Sequence, residues 1–178
     1  VMVIMVFFYE DPERRKGLLD HLVAAFPEIS SLFYVINPKK NDSLSGLKPV
    51  LYKGEDHLVE RMEGLQFRIG PISFYQTNSR QALQLYKIAR DFAGLRGMET
   101  VYDLYTGTGT IACFVAGQSG RVIGIDNVEE AVQDARYNAT NNNLGNVSFF
   151  TGDIKSLLTE QFFAENGRPD VVITDPPR

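Results

Sequence analysis

Four apolar runs, at 100–105, 121–126, 147–151 and 170–174, alternate with segments of helical spacing at 110–117, 128–140 and 154–164. Short β-prone runs separated by helix-length segments join as parallel strands, because a parallel pair needs a long crossover and a helix supplies it. The predicted fold class is therefore α/β, a Rossmann-like parallel sheet wrapped by helices. In such a sheet ligands lie at the carboxyl ends of the strands. Asp103, Asp126, Asp153 and Asp175 stand at or just past those ends, one per run.

The first run, Thr100-Val101-Tyr102-Asp103-Leu104-Tyr105, is followed by Thr106-Gly107-Thr108-Gly109-Thr110. Glycines at that point let the backbone approach a ligand at a helix N-terminus. Two ligand classes fit. Gly107-x-Gly109-x-x-Ala112, with Asp126 at the next strand end, suits a dinucleotide. The same residues suit a methyl donor, and Asp103 favours it: four residues ahead of Gly107, a carboxylate would face a cationic ammonium or sulfonium, whereas a pyrophosphate would be repelled. Asp126 then suits the ribose diol and Asp153 the adenine amine. The expected cofactor is S-adenosyl-L-methionine.

Composition narrows the rest. Cys113 is the only cysteine, so no intrachain disulfide or cysteine metal cluster can form, and a reducing, cytoplasmic setting is expected. His21 and His57 make an unpromising pair of ligands, and no metal site is predicted. The longest apolar stretch, Val1 to Tyr9, is too short for a bilayer and lacks a signal-peptide pattern, so no membrane partner is expected. A net charge of −4 argues against a protein held on nucleic acid by bulk charge. An RNA substrate would need a local basic patch or a further part of the protein.

Val1 to Tyr9 reads as a buried strand. Asp11-Pro12-Glu13 then starts a helix whose apolar positions are Leu18, Leu19, Leu22, Val23 and Phe26. A strand at Ser31 to Ile36, a polar surface loop at Asn37 to Gly46, and strands at Val50 to Lys53, Leu58 to Met62 and Leu65 to Ile69 complete a small α+β region, 1–70, that could contact RNA. The break falls at Gly70-Pro71. Residues 71–178 form the second domain, opened by a helix that Asn78 caps, with Gln81 at the capping-box position and Ala82, Leu85, Ile88, Ala89 and Phe92 as its apolar face. Asn127 and Glu130 are a second capping pair. Asn138 to Asn146 reads as a helix end and turn, with Asn and Gly145 in left-handed conformations.

Phe74-Tyr75-Gln76-Thr77-Asn78, Asp103 through Thr110, Ile123-Gly124-Ile125-Asp126 and Thr174-Asp175-Pro176-Pro177-Arg178, in this order, resemble the RNA (uracil-5-)-methyltransferase family. The resemblance implies formation of 5-methyluridine in transfer or ribosomal RNA. It places cofactor contacts on Gln76, Tyr105, Thr110, Asp126 and Asp175, beside Asp103, Gly107, Gly109 and Asp153, and a substrate contact on Arg178. Structural roles stay open for several: Gln76 could support the Asn78 cap, Thr110 could cap its helix, and Arg178 could form a surface ion pair. The family adds a cysteine thiolate to uracil C6 and removes the C5 proton with a base. Both groups are expected beyond Arg178, since Cys113 sits on the helix after the glycine loop as a small buried hydrophobe. The chain is thus expected to be an inactive piece of a longer enzyme, self-associating through an exposed edge at Val171-Val172-Ile173. Alternatives are a methyltransferase acting on a base amine or on protein, and a non-catalytic nucleotide- or RNA-binding module.

Overall fold

The computed structural model describes residues 1–39, 44 and 46–176. They form two compact units, one of residues 1–58 with 70–72, the other of 59–69 with the chain from 73 onward. The hairpin 59–69, which the sequence groups with the N-terminal region, clusters with the second unit.

In the first unit, β1 (Met2–Phe7) pairs parallel with β2 (Ser31–Ile36), and β2 pairs antiparallel with β3 (Val50–Gly54). Helix α1 (Pro12–Ala25) is the crossover. Its start follows the sequence signal: Asp11 accepts a hydrogen bond from the Arg14 N–H, and Pro12 fills a first-turn position whose N–H needs no partner. Two expectations need correction. β1 is an edge strand and only half-buried, and of the apolar positions on α1 only Leu19 is buried, with Leu18 and Phe26 exposed. Part of the expected loop at 37–46 lies outside the described residues.

The second unit begins with the hairpin β4 (Leu58–Met62) and β5 (Leu65–Ile69), followed by α2 (Ser79–Ala93). The Asn78 side chain accepts from the Gln81 N–H, and Gly94 ends the helix in the left-handed region. Strands and helices then alternate: β6 (Thr100–Leu104), α3 (Thr110–Ala116), β7 (Arg121–Asp126), α4 (Glu129–Asn141), β8 (Val147–Thr151), α5 (Ile154–Leu157), α6 (Glu160–Asn166) and β9 (Val171–Thr174). The sheet order is β8-β7-β6-β9, and each neighbouring pair is parallel. The chain enters at β6, steps outward to β8, then returns to the other side of β6. This reversal opens a crevice beyond the carboxyl ends of β6 and β9, where an open α/β sheet binds ligands.

Side-chain alternation divides the core between the two faces of this sheet. Val101 and Val122 pack with Ala112, Cys113, Val115, Val132, Ala135 and Phe149 on the side of α3 and α4. Tyr102, Ile123 and Ile125 pack with Phe162 on the other. The expected helix at 154–164 is two helices, because Thr159 interrupts it and caps α6 by accepting the Phe162 N–H. The Asn127–Glu130 pair does not cap α4: Val128 holds the cap position, and its N–H donates to Asp126 Oδ1. The left-handed residue of the following turn is Asn143, not Gly145. Among the described residues β9 has β6 as its one strand neighbour, and no helix is long and apolar enough to cross a membrane.

Candidate functional site

A hollow at the crevice is lined by Phe74, Tyr75 and Gln76 ahead of α2, Tyr86 within it, Tyr105 to Thr108 after β6, Thr110 and Ile111 on α3, and Asp175 after β9. The local chain has to bend sharply to make it. Tyr105 turns at φ 63°, a left-handed conformation unusual for a residue with a Cβ and costing roughly 1–2 kcal/mol. The Thr106 N–H donates to the Ile125 carbonyl at 3.0 Å and fastens the turn to β7. Gly107 and Gly109 follow at φ 55° and 74°. A Cβ on Gly107 would meet nothing within 4 Å, whereas one on Gly109 would lie 2.7 Å from Phe149 Cζ and 2.8 Å from Ala135 Cβ. The first glycine gives the loop its bend; the second also gives the loop its seat on the core.

Two carboxylates hold this loop. Asp103, 1% exposed, accepts from Thr106 Oγ1 at 2.6 Å and the Ala112 N–H at 2.9 Å, both on Oδ2. Asp126 accepts from the Gly107 N–H on Oδ2 and the Val128 N–H on Oδ1, each at 2.9 Å. Burial pushes the Asp103 carboxyl up to about 7, and the charges of Asp126 and Asp175 add to the rise, against the two hydrogen bonds. The Tyr86 phenol is also raised, chiefly by burial, with Tyr75, Asp103 and Asp175 contributing. No Lys or Arg is among the described lining residues. The field in the hollow is therefore negative and suits a cation.

The structure brings Gln76, Tyr105, Gly107, Thr110 and Asp175 together on one hollow. The Asn78 cap bond itself is accepted from the Gln81 N–H. Thr110 does not cap α3, whose cap position is Gly109 and carries no side-chain bond; the Thr110 hydroxyl lies 3.1 Å from that of Thr108. Asp103 lies beneath the loop rather than on the lining, and Gly109 packs inward. Asp126 reaches the hollow through Gly107. Asp153 is exposed and caps α5, its Oδ1 accepting from the Ser156 N–H and hydroxyl. Arg178 lies outside the described residues.

Sequence reasoning missed Phe74, Tyr75, Tyr86, Thr106, Thr108 and Ile111 as lining residues. For Tyr86 the signal was masked, because α2 buries Ala82 and Tyr86 while Leu85, Ile88 and Phe92 of the expected apolar face are exposed. Cys113 is 1% exposed, and burial with the Asp103 charge pushes its thiol up to about 12. It is a core residue.

Residues 96–176 match the model of a methyltransferase domain. Among solved structures, a Pyrococcus abyssi tRNA (uracil-54, C5)-methyltransferase in complex with S-adenosyl-L-homocysteine superposes with a TM-score of 0.75 at 27% identity, covering 99% of this chain and 40% of that one. The fold is that of a class I methyltransferase. Two relatives, each described as an uncharacterized RNA methyltransferase, carry the same stretch. The one from Porphyromonas gingivalis is 58% identical over 178 residues, all of this chain and 38% of the relative. The one from Bacteroides thetaiotaomicron is 54% identical over 180 residues, all of this chain and 40% of the relative. The chain thus spans about 40% of the length of these relatives.

Proposed function

We propose that this chain is the cofactor-holding part of an RNA methyltransferase that uses S-adenosyl-L-methionine and methylates uracil at C5 in transfer or ribosomal RNA. The observation that carries the reading is the acidic hollow, free of Lys and Arg among its described lining, over a glycine loop at the sheet's reversal point. A dinucleotide pyrophosphate would meet Asp175 on the lining, with Asp103 and Asp126 behind the loop, and no counter-charge among the described lining residues. A sulfonium and an ammonium would meet the opposite field. The matched methyltransferase domain and the S-adenosyl-L-homocysteine in the P. abyssi neighbour support the cofactor. The names of the relatives support RNA, and that neighbour's name supports uracil C5.

When bound, the cofactor supplies an electrophilic methyl group on a cationic sulfur. The chain's own residues hold and screen it. Both bonds of Asp103 use Oδ2, so Oδ1 remains to face the cationic end. Asp126 keeps lone pairs beyond the two N–H groups it accepts, and these take the ribose hydroxyls. Gln76, Tyr105, Thr110 and Asp175, which line the hollow, would hold the cofactor and fix its orientation. Asp153 accepts from the adenine amine, beside its capping bonds. RNA contacts are assigned to the first unit and, separately, to Arg178. Uracil C5 becomes nucleophilic only after a thiolate adds at C6. The chain's one thiol is buried and protonated, so this chain should bind the cofactor without methylating RNA by itself.

Calorimetry with S-adenosyl-L-methionine, S-adenosyl-L-homocysteine and NAD tests the cofactor. The first two should bind and NAD should not; binding of NAD alone would overturn the assignment. Uracil C5 is tested in the full-length protein with RNA carrying tritium at C5 of uridine. Each methyl transferred should release one tritium to water, and methylation without release would point to an amine or oxygen acceptor.

A further inference from the structure

Helix α4 carries Asn138 and Asn142, four residues and about 6 Å apart along its axis. Alternate residues of a strand stand about 6.6 Å apart with their backbone groups facing the same way. The two spacings match, and the carboxamides use it. Asn142 accepts the Gln66 N–H at 2.8 Å and donates to the Gln66 carbonyl at 2.7 Å. Asn138 accepts the Arg68 N–H at 2.7 Å and donates to the Arg68 carbonyl at 3.2 Å. Each side chain offers β5 the donor and acceptor that a neighbouring strand would offer. A two-stranded hairpin such as β4–β5 is marginal alone, so this surrogate edge helps to order it.

Asn138 does one thing more. Its second amide hydrogen goes to the Thr108 carbonyl at 3.0 Å, in the middle of the glycine loop. The residue is 0% exposed, and both of its donors are used. A buried carbonyl that loses its donor is costly, so loop and hairpin share one group that neither can release cheaply. Asn142 touches the hairpin and its own helix but not the loop, which makes it an internal control.

We propose that Asn138 is a positioning residue that couples the glycine loop to the β4–β5 hairpin, so that ligand in the hollow and order in the hairpin reinforce each other. The coupling rests on the reading that the hollow takes S-adenosyl-L-methionine or its product. Reciprocity requires that a ligand tightening the loop also tighten the hairpin, and that loosening the hairpin through Asn138 weaken the ligand.

Hydrogen exchange read by mass spectrometry, with S-adenosyl-L-homocysteine as the probe, tests this on the whole chain. In the wild type the probe should slow exchange at 65–69 as well as at 106–112. In Asn142→Ala, exchange at 65–69 should rise while probe affinity stays within about 2-fold. In Asn138→Ala both segments should exchange faster, affinity should fall about 10-fold, the scale of one lost hydrogen bond, and the probe should no longer protect 65–69. Equal affinities in the two variants, or a wild-type hairpin indifferent to bound probe, would overturn the coupling; the wild-type arm holds even if Asn138→Ala does not fold. If the probe binds no form of the chain, the cofactor reading is what fails. The coupling is then decided by whether Asn138→Ala, and not Asn142→Ala, speeds exchange at 106–112.

Discussion

Asp103 is a carboxylate placed where it is expensive to charge. It is 1% exposed and lies near Asp126 and Asp175, with a carboxyl raised to about 7 from an ordinary value near 4. The folded state therefore holds a proton that the unfolded chain has released, throughout the window between about 4 and 7. Stability from this group is full below about 4, falls as pH rises through that window, and is gone above about 7, a change on the order of 4 kcal/mol at most. A cationic ligand reverses the preference, because it favours the ionised form. Binding of S-adenosyl-L-methionine should then release a proton and tighten as pH rises from 6 to 8. Asp103→Asn keeps an oxygen for Thr106 and Ala112, since both bonds fall on a single atom, but cannot titrate. Urea melts of wild type should show a decline between pH 5 and 8 that the variant loses, and the variant's calorimetric affinity should be flat in pH. A wild-type affinity that does not change between pH 6 and 8 would mean that Asp103 never faces the ligand's charge.

At the scale of elements, the glycine loop separates two uses of one residue type. Gly109→Ala must place a Cβ against Phe149 and Ala135 in a left-handed backbone. Overpacking and the conformational cost together come to roughly 2–4 kcal/mol, a loss of about 5–15 °C in Tm for a chain this long. Gly107→Ala meets nothing, so it should lower Tm by only about 2–4 °C. Thermal melts of both variants would show the ranking, and equal losses would contradict the seat assigned to Gly109. Both glycines were legible because a motif fixes their offsets from a strand end, whereas Gln76, Tyr105, Thr110 and Asp175 came from the family resemblance. The strands were legible because β-prone apolar runs bounded by turn residues mark them out. The buried side of α2 was not, because Tyr86 packs inward against Phe114 while Leu85, Ile88 and Phe92 remain exposed. Asn138 and Asn142 were legible only as a helix end: their partners lie about 70 residues away in β5, and nothing local in the chain marks an amide as a substitute strand. The split of 154–164 turned on one threonine, whose preference for a cap outweighed the continuity of the pattern around it.

At the scale of the whole molecule, every described residue lining the hollow comes from the second unit, and the same unit contains the chain's one thiol. Cys113 lies on α3 between the glycine loop and the sheet, in the cluster that includes Val101, Val122 and Phe149. With the thiol pushed up to about 12 by burial, only about one folded molecule in ten thousand would carry a thiolate at pH 8. Alkylation must therefore wait for the unit to open. Anything that binds the closed form lowers the open population by the factor 1 + [L]/Kd, so S-adenosyl-L-homocysteine at 100 times its Kd should slow labelling of Cys113 about 100-fold. Pulsed iodoacetamide labelling at pH 8, read by intact mass, gives the rate with and without ligand. Slow labelling with that ligand dependence would show that the cofactor hollow and the core beneath α3 open as one unit. Fast labelling indifferent to ligand would mean that α3 exposes its thiol in the folded state, and would remove the physical ground for setting Cys113 aside as the nucleophile.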